Sequence, residues 1–272
     1  MGFVSKDAIK KALSNGRGQR WLATKIGTLT PQGAGQLVTF YPEAGSPAAG
    51  TAAGVSWAGL TDASGTIVFS AVSPKKRYLA RVAAMANQNG TLIGYDRLGH
   101  IGSISLASTG SKTVSAVLPA RYSGAETDDL NNIEALVEVT TATTVTAPVV
   151  RLNTYTNELL VGSRLGTSLT FPAAATPIGW MGRLPLQAGD KSISAIASLE
   201  VQTAATVGVC NVVLARKLFE IPVAANIPTL FAEDELDLPR VYDGSSICFM
   251  FQATAASAVQ LGSVRVTTAY EE

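Results

Sequence analysis

At 272 residues the chain is long enough for one large domain or two ordinary ones, each with its own core. Hydrophobic residues make up 47% and charged ones only 15%, yet no run approaches the roughly 20 uninterrupted apolar residues of a membrane-spanning helix. The net charge of +1 supplies no global field for nucleic acid or an anionic membrane, and so sparse a charge favours a subunit whose surface is covered in an assembly.

Residues 1–20 read as an N-terminal arm. The start, Met1 to Lys6, lacks the basic and apolar regions of a secretory signal. Ser5 is the expected N-cap of a short helix over Lys6–Leu13, stopped at Asn15-Gly16, with Ile9 and Leu13 four apart on one face. A helix this short, with so few apolar positions, is marginal alone in water, so it must dock on its own body or on a neighbour. Arg17 and Arg20 then stand beside Trp21 in a Gly-rich loop without a phosphate-loop pattern. The expectation is an exposed turn leading into a strand, with both arginines meeting carboxylates of a partner protein. Ile9, Leu13, Arg17, Arg20 and Trp21 are therefore the candidate partner-binding residues.

Residues 21–158 read as a first β-module. Strands are predicted at Trp21–Ile26, Gln36–Tyr41, Thr66–Ser70, Tyr78–Met85, Thr91–Asp96, Ile101–Leu106 and Ile133–Thr140, the last covered in part on both faces. The small-residue stretch Gly45–Gly54 is a loop, and Asn87-Gln88-Asn89-Gly90 between apolar runs reads as a hairpin turn.

Residues 159–272 read as a second module of the same kind. Leu118-Pro119-Ala120-Arg121-Tyr122-Ser123-Gly124 returns as Leu238-Pro239-Arg240-Val241-Tyr242-Asp243-Gly244, and Val150–Thr154 returns as Val264–Thr268. Tyr78 with Ser192, Thr91 with Thr206 and Val150 with Val264 keep nearly constant spacing, whereas extra residues lie near Asn226–Asp237. The phrase has the composition of a structural corner used twice. The acidic run Glu233–Asp237 lacks calcium-loop spacing and reads as a solvated loop. The expected fold class is mainly β: two tandem related β-sandwich or barrel-like modules with a short N-terminal helix.

The inventory for catalysis is thin. His100 is the only histidine, read as an ordinary surface or hydrogen-bonded residue at a turn. Cys210 and Cys248 sit in apolar runs without CxxC spacing, so both are expected as buried thiols rather than zinc ligands or a disulfide framework. No nucleophile elbow or HExxH occurs, and no catalytic, metal or cofactor residue is assigned. Paired carboxylates meeting in space stay open.

Four stretches carry a resemblance to a family. Ala12 to Arg20, Leu152-Asn153-Thr154-Tyr155-Thr156-Asn157, Leu184 to Asp190 and Leu238 to Gly244, in this order over almost the whole chain, resemble structural proteins of tailed-bacteriophage particles. The resemblance implies a virion component associated with the head shell, without an active site. The resulting expectation is a capsid decoration or cement protein, homo-oligomeric, whose partners are the major capsid protein or other virion proteins and not a membrane or a specific nucleic acid. In that role, deletion of residues 1–20 is expected to abolish shell binding without unfolding the body. The alternatives are a tail, neck or baseplate protein, or a carbohydrate-binding module with Trp57, Trp180 or tyrosines as stacking platforms.

Overall fold

A computed structural model describes residues 6–29, 31, 33–60, 64–122, 125, 127–172, 175–232 and 239–271. The expected cap Ser5, Leu238 of the second phrase and the acidic run 233–237 lie outside the described residues. Helix α1 (Lys6–Ser14) is followed by β1 (Gly18–Lys25), β2 (Leu37–Thr39), β3 (Gly45–Ser46), β4 (Ala58–Gly59), β5 (Arg77–Ala86), β6 (Gly90–Ser105) and β7 (Gly110–Val117). A 3-10 turn (Ala120–Tyr122) and α2 (Thr127–Leu130) lead to β8 (Ile133–Thr141), β9 (Val149–Asn157), β10 (Leu169–Thr170), β11 (Trp180–Arg183) and β12 (Ile193–Thr203). The chain ends with β13 (Val209–Val223), β14 (Thr229–Phe231), β15 (Arg240–Val241), β16 (Ile247–Ala253) and β17 (Leu261–Tyr270). The fold is mainly β with one short N-terminal helix, as the regular spacing of short strands and turns predicts.

The strands form a central barrel between two outer sheets. β13, β8, β11, β2, β16 and β6 pair in that order, and β13 pairs back onto β6 to close the ring. Closure removes the unpaired edges that an open sheet must protect. Cross-strand partners share a face, so the pairs Tyr95–Cys248, Ile93–Met250 and Leu136–Val213 mark the barrel interior. Leu37, Met181 and Ala215 join them in one buried cluster. Outward-facing Leu92, Phe219, Phe249 and Phe251 pack on the first outer sheet, whose order is β14-β5-β17-β1-β3. Outward-facing Val137, Val139, Val212 and Leu214 pack on the second, ordered β10-β9-β12-β7. Gly94 of β6 makes room for the ring of its cross-strand partner Phe219 on β13, because a Cβ there would stand 2.0 Å from that ring.

Apart from the two-residue strands β3, β4 and β15, the pairing is unchanged by one exchange. Swap β1 with β10, β2 with β11, and β5, β6, β7, β8, β9 with β12, β13, β14, β16, β17. Then β5–β17 becomes β12–β9, β14–β5 becomes β7–β12, β6–β16 becomes β13–β8, and β1–β17 becomes β10–β9. Strands from before and after residue 158 thus share all three sheets, each set supplying the partners of the other.

Three sequence expectations are corrected. Thr66–Ser70 is not a strand: only Ile67 bridges, to Ile247, while buried Ile67 and Phe69 hold the segment by apolar contact. Asn87–Gly90 is not a hairpin turn, since β5 and β6 belong to different layers. Its Asn side chains bind other loops instead, Asn87 Oδ1 accepting from Gln260 N–H at 2.7 Å and Asn89 Oδ1 from Ala225 N–H at 2.8 Å. Finally, 91–96 and 101–106 are parts of one long strand, β6, because the charged residues between them are buried and paired rather than looped into solvent.

Candidate functional site

The predicted contact residues do not form one patch. Ile9 is fully buried together with Ala12, Ala80 and Ala269 of its own chain, and Leu13 packs against the same cluster. Ala80 and Ala269 lie on β5 and β17, so α1 docks on the body. Gly18 to Trp21 are not a turn but the first half of β1, paired with β17 from Gly18–Ala269 to Trp21–Val266. Trp21 faces inward onto the core of the first outer sheet, Arg17 is half-buried, and Arg20 points to solvent. Deleting residues 1–20 would therefore uncover Ala80 and Ala269 and shorten β1.

The two copies of the repeated phrase meet each other. Tyr122 and Tyr242, both buried, have ring centroids 4.8 Å apart. They cover the cross-strand pair Asp96–Arg216 on the outer face of the β6–β13 seam. Ile247 pairs with Asp96 as Ile133 pairs with Arg216, so the strand exchange carries one onto the other and this pair sits on its axis. Asp96, fully buried, accepts from Arg121 Nη2 at 2.9 Å, Tyr122 Oη at 3.0 Å, Ser245 Oγ at 2.8 Å and Ser246 N–H at 2.8 Å. Arg216 pairs with Asp129, which also accepts from Tyr242 Oη at 2.5 Å, and donates to the Arg240 carbonyl at 2.7 Å. The Arg240 guanidinium lies 4.2 Å from the Tyr242 ring centroid. The phrase is a junction between its own two copies.

A second buried cluster occupies one end of the barrel interior. Arg97 donates to Glu138 through Nη2 at 2.7 Å and Nη1 at 3.3 Å, and stacks 3.9 Å over the Tyr41 ring. Asn211 Nδ2 donates to the same carboxylate at 2.8 Å. Burial pushes the Glu138 carboxyl up, but the charge and hydrogen bonds of Arg97 reverse this and leave it below its ordinary value. Burial, with the Arg97 charge, depresses His100 to about 4, so its neutral ring accepts from Arg97 Nη2 through Nδ1 at 3.1 Å. His100 is thus a buried strand residue, not a turn residue. A cavity of about 170 Å³ opens beside this cluster, lined by Tyr41, Thr51, Ile178, Glu138 and Asn211 among others. Sequence reading gave no role to Asp96, Arg97, Asp129 or Arg216, and took Glu138 only as a sign that its strand is covered on both faces. The available signal was a charge within an otherwise apolar run.

The remaining candidates have structural places. Trp180 is 5% exposed and packs on Phe171, ring centroids 4.7 Å apart, so it offers no sugar platform. Trp57 is half-buried against the core beneath the second sheet, and five tyrosines, 41, 95, 122, 155 and 242, are buried. Cys210 and Cys248 are buried free thiols, both pushed up to about 12 by burial. Among the described residues no cluster of three or more His, Cys, Asp or Glu side chains is arranged to hold a metal ion, and no helix is long and apolar enough to cross a membrane.

No known protein family and no curated protein matches the sequence. Among solved structures, similarity is recorded to infectious bursal disease virus. Its Gt strain structure shares 11% identity at a TM-score of 0.17, covering 93% of this chain and 81% of that one. A structure of T=1 particles derived from infectious bursal virus gives 10% identity and a TM-score of 0.18, over 93% and 78% of the two chains. A protein of unknown function from Shewanella oneidensis gives 10% identity and a TM-score of 0.15, over 75% and 90%. Likeness at this level carries neither fold nor function to this chain.

Proposed function

We propose that the chain is a non-enzymatic structural protein of a virion, a decoration or cement protein that stabilises a phage head by bridging neighbouring shell subunits. The ordered resemblance along the sequence motivates the reading. The observation that carries it is a loop that holds apolar side chains out in solvent. Leu159 and Leu160 are 73% and 77% exposed between β9 and β10. The loop is pinned: Asn157 Oδ1 accepts from Leu159 N–H at 3.1 Å and Val161 N–H at 2.9 Å, and Asn157 Nδ2 donates to Asp190 at 2.9 Å. Hydrogen bonds from Arg164, and then from Tyr155 and Asn157, hold the Asp190 carboxyl down at about 2. Leu160 even takes a left-handed backbone, φ 60°, which disfavours a branched residue. A fixed, exposed aliphatic pair of this kind suits contact with another subunit better than free solution. Homo-oligomerisation belongs to the same proposal.

Immunogold microscopy of purified particles, with antibody raised against this chain, tests the reading. Label on the head supports it; label confined to the tail, or absent from particles, contradicts it. In the same particles Leu159→Ser/Leu160→Ser should reduce incorporation while leaving the melting temperature of the free protein within about 2 °C, since surface substitutions change stability little.

A further inference from the structure

The strand exchange relates the two outer sheets, so their solvent faces are equivalent by position and can be compared residue by residue. The face of the second sheet satisfies its own polar groups. Arg151 Nε donates to Glu200 at 2.5 Å, Asn153 to Ser198 at 3.2 Å and Ser168 to Gln202 at 2.6 Å. The strands of the first sheet, β14, β5, β17, β1, β3 and β15, contain no Asp or Glu.

Cross-strand register fixes what stands there. Leu230 pairs with Ala83, Ala83 with Arg265 and Arg265 with Leu22, which makes one transverse row over four strands. The next row toward α1 includes Arg81, Thr267 and Arg20. Leu22 is 50% exposed and Leu230 63%, and Arg20 and Arg265 are both exposed. At a strand spacing of about 4.8 Å the row spans roughly 14 Å, the scale of a contact hot spot. Arginine flanked by aliphatic residues is the composition enriched in protein interfaces, because the guanidinium pairs with carboxylates bidentately while its stem and neighbours exclude water.

We infer that this face of the first sheet, centred on Arg20, Leu22, Leu230 and Arg265, docks on a protein surface that presents carboxylates. The inference deepens the proposal above, on which it rests for the nature of the partner. Charge complementarity is the argument: Arg20 and Arg265 stand exposed on strands that contain no Asp or Glu, whereas Arg151, the counterpart of Arg265 in the repeat, is paired with Glu200.

A dye-labelled ten-residue peptide alternating Glu with Leu, Ser and Thr serves as probe, followed by fluorescence anisotropy against the full chain. Binding should weaken steeply as salt is raised. Arg20→Glu/Arg265→Glu should weaken it at least tenfold, Arg20→Gln/Arg265→Gln should weaken it less, and Arg151→Glu on the opposite sheet should leave it within twofold. Absence of wild-type binding overturns the inference, as does equal loss in Arg151→Glu. Tighter binding of heparin through the same arginines also overturns it, in favour of a non-protein polyanion. A drop of several degrees in melting temperature for the Gln variant overturns it too, because the arginines would then serve their own chain. Label absent from virions would defeat the virion reading and leave this result untouched.

Discussion

Asp96 and Arg97 are chain neighbours on opposite sides of one barrel wall, and both are fully buried charges. Outside the barrel, Asp96 is held by one arginine together with a tyrosine, a serine and a backbone N–H. Inside, Arg97 depends on a single carboxylate, Glu138, and its Nε is buried without a hydrogen-bond partner. The outer solution distributes the charge over a network contributed by both phrases. The inner one concentrates it on one ion pair, assisted by Asn211 and His100, and burying such a pair brings a desolvation cost that its attraction must offset.

That contrast can be broken by mutation. The largest effect is expected for Glu138→Ala, which leaves Arg97 charged, buried and uncompensated: a loss of about 3–5 kcal/mol in denaturant unfolding. Replacing both partners together with the amide that serves them, as Arg97→Met/Glu138→Leu/Asn211→Leu, should restore most of it, to within about 1 kcal/mol of the parent. The corresponding outer pair behaves differently. Asp96→Leu/Arg121→Met removes the ion pair but strands Tyr122 Oη, Ser245 Oγ and Ser246 N–H, so a deficit of about 3 kcal/mol or more should persist in the double variant. Equal rescue at both sites would erase the distinction.

Smaller changes sharpen it. Tyr242→Phe removes one donor to Asp129 and should cost about 1–2 kcal/mol, readable as a lower urea midpoint without a change in slope. The pH dependence should belong to the inner site. His100 has its folded pKa depressed from 6.5 to about 4, so the unfolded chain takes up the extra proton between these values. Its contribution is complete above pH 6.5 and is lost as pH falls toward 4. Glu138, also depressed, loses its contribution in the same direction but at lower pH. His100→Gln should flatten the melting-temperature profile between pH 6.5 and 4 and leave the Tyr242 effect unchanged.

How much of this was legible in the sequence follows from how local each signal is. The helix over Lys6–Ser14 and the strands β5 and β8 were legible because β-branched residues, apolar spacing and turn residues act within a few positions. The phrase was legible as a repeat; its first copy turns at Ala120–Tyr122, whereas Arg240–Val241 of the second copy form strand β15 paired with β5. That its two tyrosines stack on each other was not legible, because strand partnership is settled by packing over more than a hundred residues, not by spacing. The same limit explains Asn87–Gly90, whose composition suits a hairpin that the layers do not make. Ile9 and Leu13, read as a stripe that docks on the body or on a neighbour and offered as partner contacts, lie instead against Ala80 and Ala269 of β5 and β17. Arg20 alone among the five candidate contacts stands free in solvent, and only the register across β1 and β17 reveals its companions Leu22 and Arg265.

A cryo-microscopy map of the particle that carries this chain tests the account most directly. The account predicts density for the barrel and its two outer sheets on the head shell, with Arg20, Leu22 and Arg265 of the first sheet facing carboxylates of a shell subunit. Density confined to the tail, or a first sheet exposed to solvent in every copy, would contradict it.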